Sequence, residues 1–362
     1  MYPKISVIIV NWNGKHFLKE CIDALLDNSY KNFEIIIVEN GSIDGSKEFL
    51  EKIYLNFIKN KKLRIIHSTL NLGFAGGNNL GYQHVDKVSK YVTLLNNDTK
   101  VNQNWMLEMF KIIEYDDECG GVCAIDNNLV SEDTSWFNYK NLWFTCNLAF
   151  SNIVYKQRNT SKKRIPSISL AGCSFMFRKS LIKMPFDTDY FAYAEDMYLS
   201  RLIILKGYKL YYATKAYLHH YTESTKKRSQ KLNKFLLFHG IKNNIMNFFI
   251  FYNDLNIKKL FPFLILNHIA MIFADPKRFL IILKSYLWIL RNIDNIKNKR
   301  KQIQSQRKIK DEDIIRLESY KIYSELNLHV KLNIIHKILI WILNGGAFLY
   351  CKLLKIRTME FY

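Results

Sequence analysis

Three short stretches carry the residue types that can do chemistry. Asn96-Asn97-Asp98 follows Tyr91–Leu95, five residues of strand-forming character. A carboxylate beside two amides at a strand end suits a divalent cation that also grips phosphate oxygens. The same tripeptide also fits an Asn/Asp turn. Glu195-Asp196 opens a segment with apolar residues at 199, 202, 203 and 205, which is helical spacing. Acidic residues there favour the helix dipole. Two carboxylates so close also perturb each other, so one could be tuned as a general base. His219-His220 ends the strand-like Ala216–Leu218 and offers either a solvent-facing strand end or a neutral imidazole ligand.

The elements that must position these groups alternate along residues 1–125. Ile5–Val10, Phe33–Val38, Leu63–Ile66, Tyr91–Leu95 and Val122–Ile125 read as strands. Helical stripes lie between them at Phe17–Leu26, Ser46–Leu55, Ala75–His84 and Trp105–Tyr115. Such an order predicts an α/β fold with a parallel sheet and right-handed crossovers. The polar clusters Asn11-Trp12-Asn13-Gly14, Glu39-Asn40-Gly41-Ser42 and Asn96-Asn97-Asp98 would then converge on the carboxyl edge, where ligands bind. Asn71–Gly81 holds four glycines (73, 76, 77 and 81) and reads either as a backbone approach to phosphate or as a plain connection. It lacks the dinucleotide spacing, and no Walker A sequence occurs. Residues 126–168 read as a polar, aromatic insertion over the acceptor side. Leu170–Arg178, Tyr208–Ala213 and Ala216–Leu218 read as further strands.

Composition bounds the class. Of 362 residues, 49% are hydrophobic and 23% charged, which excludes wholesale disorder. The net charge of +21 is uneven: residues 1–225 hold 27 basic and 23 acidic side chains (+4), residues 226–362 hold 26 and 9 (+17). The excess points to an anionic partner of the C-terminal third. Six cysteines without a C-x-x-C pair fit reduced, buried thiols and a cytosolic setting.

Together these stretches resemble glycosyltransferase family 2, the inverting enzymes of the GT-A fold, and within it the rhamnosyltransferase-like branch of cell-surface polysaccharide enzymes. The residues that carry the match are Val7–Gly14, Val38–Ser46, Asn71–Gly81, Leu94–Thr99, Phe191–Asp196 and His219-His220, in order over residues 4–225. The resemblance implies a nucleoside-diphosphate-sugar donor, dTDP-rhamnose or a UDP-sugar, and Mg²⁺ or Mn²⁺. Asp98 would hold the metal at the diphosphate, and His220 or His219 would lie near it. Asn97 would position the diphosphate or the sugar. Asn11 and Glu39 would cradle the nucleoside, with Gly76, Gly77 and Asn78 in the adjoining loop. Asp196 would be the catalytic base, with Glu195 beside it. Two departures stand out: Glu39 replaces the family's usual Asp, and Tyr198 stands near the place of a further acidic residue.

Residues 226–362 read as a second, helical and basic region. Phe235–Asn253, Leu260–Ala274, Phe279–Leu290 and Ile338–Cys351 are apolar stretches flanked by Lys and Arg, each short of the ~20 residues a spanning helix needs. They fit interfacial helices on an anionic membrane surface, at the inner face of the cell membrane. A soluble helical subdomain or a homo-oligomer interface is the alternative. Lys297–Lys310 reads as a solvated charged helix, and no nucleic-acid recognition module accompanies the charge. The acceptor would be a glycan or lipid-linked glycan. The rival functions are an inactive scaffold of the same fold and a sugar-phosphate nucleotidyltransferase, which would want a basic Gly-rich loop where Asn11-Trp12-Asn13-Gly14 stands.

Overall fold

The computed structural model describes residues 2–126, 136–137, 155–156, 163–221, 230–316, 318 and 334–358. Most of the expected insertion and the expected domain boundary at 225/226 lie outside them. The chain divides into two compact units. Residues 1–135, 158–204 and 208–228 make the first, and residues 136–157, 205–207 and 229–362 the second.

In the first unit the strands are β1 (Ile5–Asn11), β2 (Phe33–Asn40), β3 (Leu63–Ser68), β4 (Tyr91–Asn96), β5 (Thr99–Val101) and β6 (Cys119–Asp126). Two-residue strands β7 (Trp136–Phe137) and β8 (Tyr155–Lys156), which fall in the second unit, pair with each other. Then come β9 (Arg164–Ser167), β10 (Ser174–Arg178) and β11 (Lys209–His220). The helices between them are α1 (Lys15–Leu26), α2 (Ser46–Ile53), α3 (Leu55–Lys59), α4 (Gly73–Gln83), α5 (Trp105–Tyr115) and α6 (Glu195–Leu205).

The sheet runs β3-β2-β1-β4-β10-β6-β11-β5, with β9 added against β11. β3, β2, β1 and β4 are mutually parallel, as the alternating pattern requires. β1 and β2 are buried almost throughout because helices cover both faces, so they carry β-branched runs instead of an alternation. β10 enters antiparallel between β4 and β6, a placement that local periodicity does not reveal. β5 begins three residues after β4 ends yet pairs with β11 at the far end of the strand order, so the sheet must curl back.

Several boundaries differ from the sequence expectation. The helix expected over Ser46–Leu55 breaks at Tyr54 into α2 and α3. The strands expected at Tyr208–Ala213 and Ala216–Leu218 are one, β11, with a register shift between Ala213 and Tyr217. That irregularity lets a single strand change direction without ending. Leu170–Cys173 precedes β10 as non-strand backbone, and β5 was not anticipated.

The second unit contains α7 (Gln230–Phe251), α8 (Asp254–Ala274), α9 (Phe279–Arg291), α10 (Ile293–Gln304), α11 (Asp311–Ile315) and α12 (Ile334–Leu353). α10 is not simply a solvated helix: Ile296 and Ile303 are buried. Arg300 donates to the carbonyls of Phe249 and Tyr252, Gln304 to that of Ile250 at 2.7 Å, and Arg307 to that of Phe251. A helix leaves its last carbonyls unpaired, and cations at that end also suit the dipole. Part of the basic excess is therefore spent inside the unit.

Candidate active site

The carboxyl ends of β1 and β2 meet in a buried hydrogen-bond chain. Asn11 is fully buried and donates through Nδ2 to Glu39 Oε1. Glu39, 4% exposed, accepts from Ser46 Oγ at 2.6 Å with its other oxygen. Asn97 Nδ2 donates to Asn11 Oδ1 at 2.6 Å, which ties the turn after β4 to β1. Gly14 leaves the room for this: a Cβ there would stand 2.2 Å from Asn97 Nδ2 and 2.7 Å from Asn11 Oδ1. Both oxygens of Glu39 are engaged within the protein. In this structure they hold Asn11 and Ser46.

Asp98 and His220 lie 122 residues apart in sequence and meet at the end of this edge. β11 pairs with β5 so that His220 stands opposite Thr99, and the Tyr221 N–H donates to the Asp98 carbonyl at 2.8 Å. Asp98 Oδ1 is 3.0 Å from His220 Nε2, and Asn96 Nδ2 is 3.2 Å from the same nitrogen. Burial lowers the basicity of His220, but the hydrogen bond and charge of Asp98, with the charge of Asp126, outweigh it and the net pKa is raised. His219 falls out of this set. Successive strand residues face opposite sides, and its ring packs against Tyr221 with centroids 4.5 Å apart.

The carboxylate pair sits on α6. Asp196 accepts the Gly172 N–H at 3.3 Å and the Met197 N–H at 2.7 Å, and it is partly exposed. Glu195 is 7% exposed, and among the described residues its Oε2 has no hydrogen-bond partner. Burial, then the Asp196 charge, pushes the Glu195 carboxyl well above the usual range. Burial also raises Asp196, against the two backbone N–H groups that favour its anion. Asp196 is the more exposed of the two carboxylates. Tyr193 and Ala194, just before the pair, both have left-handed backbone at φ 66° and 62°. Side chains disfavour that region, and such strain gathers at functional loops.

Gly172-Cys173 joins the two halves. The Gly172 N–H holds Asp196, and the Cys173 carbonyl accepts the Asn96 N–H at 3.1 Å. The Cys173 thiol is pushed up by burial first and then by the charges of Asp126, Asp196 and Asp98. Asp126 escaped the sequence reading. It follows a strand in the manner of Asp98, and that strand-end position was the available signal.

Gly76, Gly77 and Asn78 lie within α4, not in a loop. Gly77 faces Val10, where a Cβ would stand 2.7 Å from Cγ1, and Asn78 is buried with Nδ2 on the Phe74 carbonyl at 2.9 Å. Gly77 thus packs α4 on β1. At the helix start the Gly73 N–H goes to Asn71 Oδ1 at 2.8 Å and the Ala75 N–H to the Phe191 carbonyl at 3.3 Å. The Ala75 N–H thus fastens the start of α4 to the loop before Glu195.

Among the described residues no group of three or more His, Cys, Asp or Glu forms a cage for a metal. Asp98 and His220 converge as one carboxylate oxygen and one imidazole nitrogen. That donor set fits a hard divalent ion that takes its remaining ligands from phosphate and water.

Residues 6–184 match the model of "Glycosyl transferase family 2". The chain is 31% identical over 118 residues to glycosyltransferase GlyA of Streptococcus pneumoniae serotype 4, covering 31% of this chain and 15% of that protein. The curated relative is thus far longer than the stretch it shares. The fold resembles GalNAc-T7, solved with UDP, GalNAc and Mn²⁺ (TM-score 0.53, 16% identity, 70% of this chain and 48% of that one). It also resembles the mannosyltransferase PcManGT of Pyrobaculum calidifontis, solved with GDP-Man and Mn²⁺ (TM-score 0.50, 15% identity, 84% and 86%). These likenesses show the fold, which is of the GT-A type. The matched residues 6–184 include Asn11, Glu39 and Asp98.

Proposed function

We propose that this protein is an inverting, metal-dependent glycosyltransferase. It moves a sugar from a nucleoside-diphosphate-sugar, dTDP-rhamnose or a UDP-sugar, to a hydroxyl of a cell-surface or lipid-linked glycan. The observation that carries the reading is the meeting of Asp98 with His220 at the strand-end edge where Gly172 holds Asp196. The Mn²⁺ and nucleotide ligands of the two structural neighbours support it.

Asn11 and the Asn97-Asp98 turn would seat the donor's nucleoside and diphosphate. Asp98 and His220 would hold Mg²⁺ or Mn²⁺, which when bound neutralises charge on the departing diphosphate. Asp196 takes the proton of the acceptor hydroxyl. That oxygen forms its bond to the anomeric carbon as the bond to the diphosphate oxygen breaks, and the configuration inverts in a single displacement. Its raised pKa brings the base closer to the range where proton transfer is efficient.

The second unit supports a peripheral place on an anionic membrane surface. Leu280, Leu283, Leu287 and Leu290 on α9 and Ile334, Ile338, Trp341, Ile342, Leu349 and Leu353 on α12 form exposed apolar stripes. Lys284, Arg291 and Lys352 are exposed on the same helices. Among the described residues no helix is long and apolar enough to cross a membrane.

The test is transfer or donor hydrolysis with UDP- and dTDP-sugars, before and after thorough chelation and metal return. Activity undiminished by chelation sinks the metal role of Asp98. Absence of any UDP or dTDP binding by calorimetry favours the inactive scaffold.

A further inference from the structure

An aromatic ring borders Asp196. Gly172 is buried, and a Cβ built there would stand 3.4 Å from Asp196 Cβ and 3.4 Å from Cε1 and Cζ of Phe74. The carboxylate and the ring edge therefore flank one glycine, and both are partly exposed. Phe74 stands in the first turn of α4 and is backed by a fixed neighbour. Its ring packs on Phe186 with centroids 6.0 Å apart. Phe186 is 2% exposed and exchanges two hydrogen bonds with the Asn79 side chain, at 2.9 and 3.1 Å.

A second ring comes from the loop before the carboxylate pair. The Ala75 N–H bond to the Phe191 carbonyl sets this loop beside the first turn of α4. Tyr190 in the same loop is 2% exposed and packs on Tyr198 with centroids 5.3 Å apart, whereas Tyr193 is 45% exposed. Tyr193 holds that place in left-handed backbone, φ 66°, three residues before Asp196. A half-exposed ring offsets little of that strain by burial, and residues so held cluster at ligand-contacting loops.

We propose that Phe74 and Tyr193 form the acceptor subsite and that its ligand is a pyranose ring. A pyranose has an apolar C–H face and polar edges. The face lies on an aromatic ring, which offers contact area at little cost in conformational freedom, and the edge then carries a hydroxyl to Asp196. The inference rests on Asp196 as the base and deepens that reading. The group that receives the sugar is itself a sugar ring, not a lipid phosphate or an open-chain alcohol.

The experiment uses the full chain with UDP bound. It titrates methyl β-glucoside, methyl β-galactoside, methyl α-rhamnoside and methyl N-acetyl-β-glucosaminide, with glycerol as the open-chain control. Saturation-transfer NMR with irradiation of the aromatic protons reads binding. At least one pyranoside is expected to bind through its ring C–H protons, and glycerol is not. Phe74→Leu keeps an apolar contact with Phe186, and Tyr193→Gly suits the left-handed backbone. Each should weaken pyranoside binding by about 3–10-fold, Tyr193→Phe should bind as wild type does, and UDP affinity by calorimetry should stay unchanged in all three. Unaltered pyranoside affinity in either folded Phe74→Leu or Tyr193→Gly overturns the proposal, as does a wild type that binds none of these pyranosides. Should the variants not fold, wild-type protein with ring-deuterated Phe and Tyr replaces them: loss of transfer to the sugar supports the subsite, and undiminished transfer refutes it. The base reading fails separately, when Asp196→Asn transfers sugar at the wild-type rate.

Discussion

Replacing Gly73 by alanine should dislodge the loop that carries Glu195 and Asp196. Gly73 has φ +73°, and a Cβ built there stands 2.3 Å from the Phe191 carbonyl oxygen and 2.7 Å from its ring. A side chain in left-handed backbone costs about 1–2 kcal/mol. Forcing a methyl into filled space costs about 1–3 kcal/mol more, so the sum is about 2–5 kcal/mol. The obstructing atom belongs to the main chain and cannot swing aside as a side-chain tip would, so the segment before Glu195 must move. The Ala75 N–H bond to the Phe191 carbonyl goes with it. Each kcal/mol shifts Tm by roughly 2–4 °C in a domain of 150–250 residues, which predicts a fall of roughly 4–20 °C in a thermal melt. Sugar transfer should fall by at least about tenfold, as a displacement of the base on the order of 1 Å implies. UDP binding should persist, because Asn11, Glu39 and Asp98 sit on strand ends that do not depend on this contact. A Gly73→Ala protein that melts within about 2 °C of wild type and transfers sugar normally would refute the coupling.

The remaining tests follow from single residues. Asp196→Asn should retain donor binding by calorimetry and lose transfer in a product assay; a fully active variant removes the base assignment. Glu39→Ala strands Ser46 Oγ and leaves Asn11 Nδ2 only its 3.4 Å bond to Ser42 Oγ, and at about 1–3 kcal/mol per buried unpaired group its urea midpoint should drop visibly. An unchanged midpoint means the chain of bonds contributes nothing. The Glu195 carboxyl goes from its ordinary 4.5 to about 8 in the folded protein, through burial first and the Asp196 charge second. The folded state therefore holds that proton more tightly, and the group's contribution to stability is complete below 4.5 and declines as pH rises toward 8. Melts across that range should show the decline, and Glu195→Gln should flatten it; an equal slope in both proteins discards the buried-acid account. Ser in place of Trp341 and Ile342 should reduce co-sedimentation with anionic vesicles at low salt, whereas a partner chain on α12 would show as a change in oligomeric mass instead.

The parallel core was legible because each of its strands is a buried β-branched run and each intervening helix shows a 3.6-residue stripe. Ile5–Asn11 and Phe33–Asn40 could fit little else. The antiparallel β10, the short β5 and the unbroken β11 were not legible. Their partners lie far off in sequence, and strand pairing depends on which edges meet, which no local period records. The site shows the same division. Asn11, Asp98 and Asp196 could be picked out by residue type at strand and helix ends, and so could the pair His219-His220. Strand alternation in space was needed to choose His220. The glycines of Asn71–Gly81 looked like a ligand loop, because small residues serve close approach to a phosphate and to a packed strand equally well.

The Asn96-Asn97-Asp98, Glu195-Asp196 and His219-His220 groups, and the parallel strands β1 to β4, follow from residue type and periodicity, since both act over a few neighbouring positions. The tertiary structure decided which of those groups meet. The curl of the sheet brings β11 between β6 and β5, so that His220 meets Asp98. The close packing of α4 on Phe191 fixes the loop before Asp196, while Glu39 is drawn inward to hold Asn11. Each of these depends on contacts between residues remote in sequence, whose distances are set only when the whole unit closes around its core.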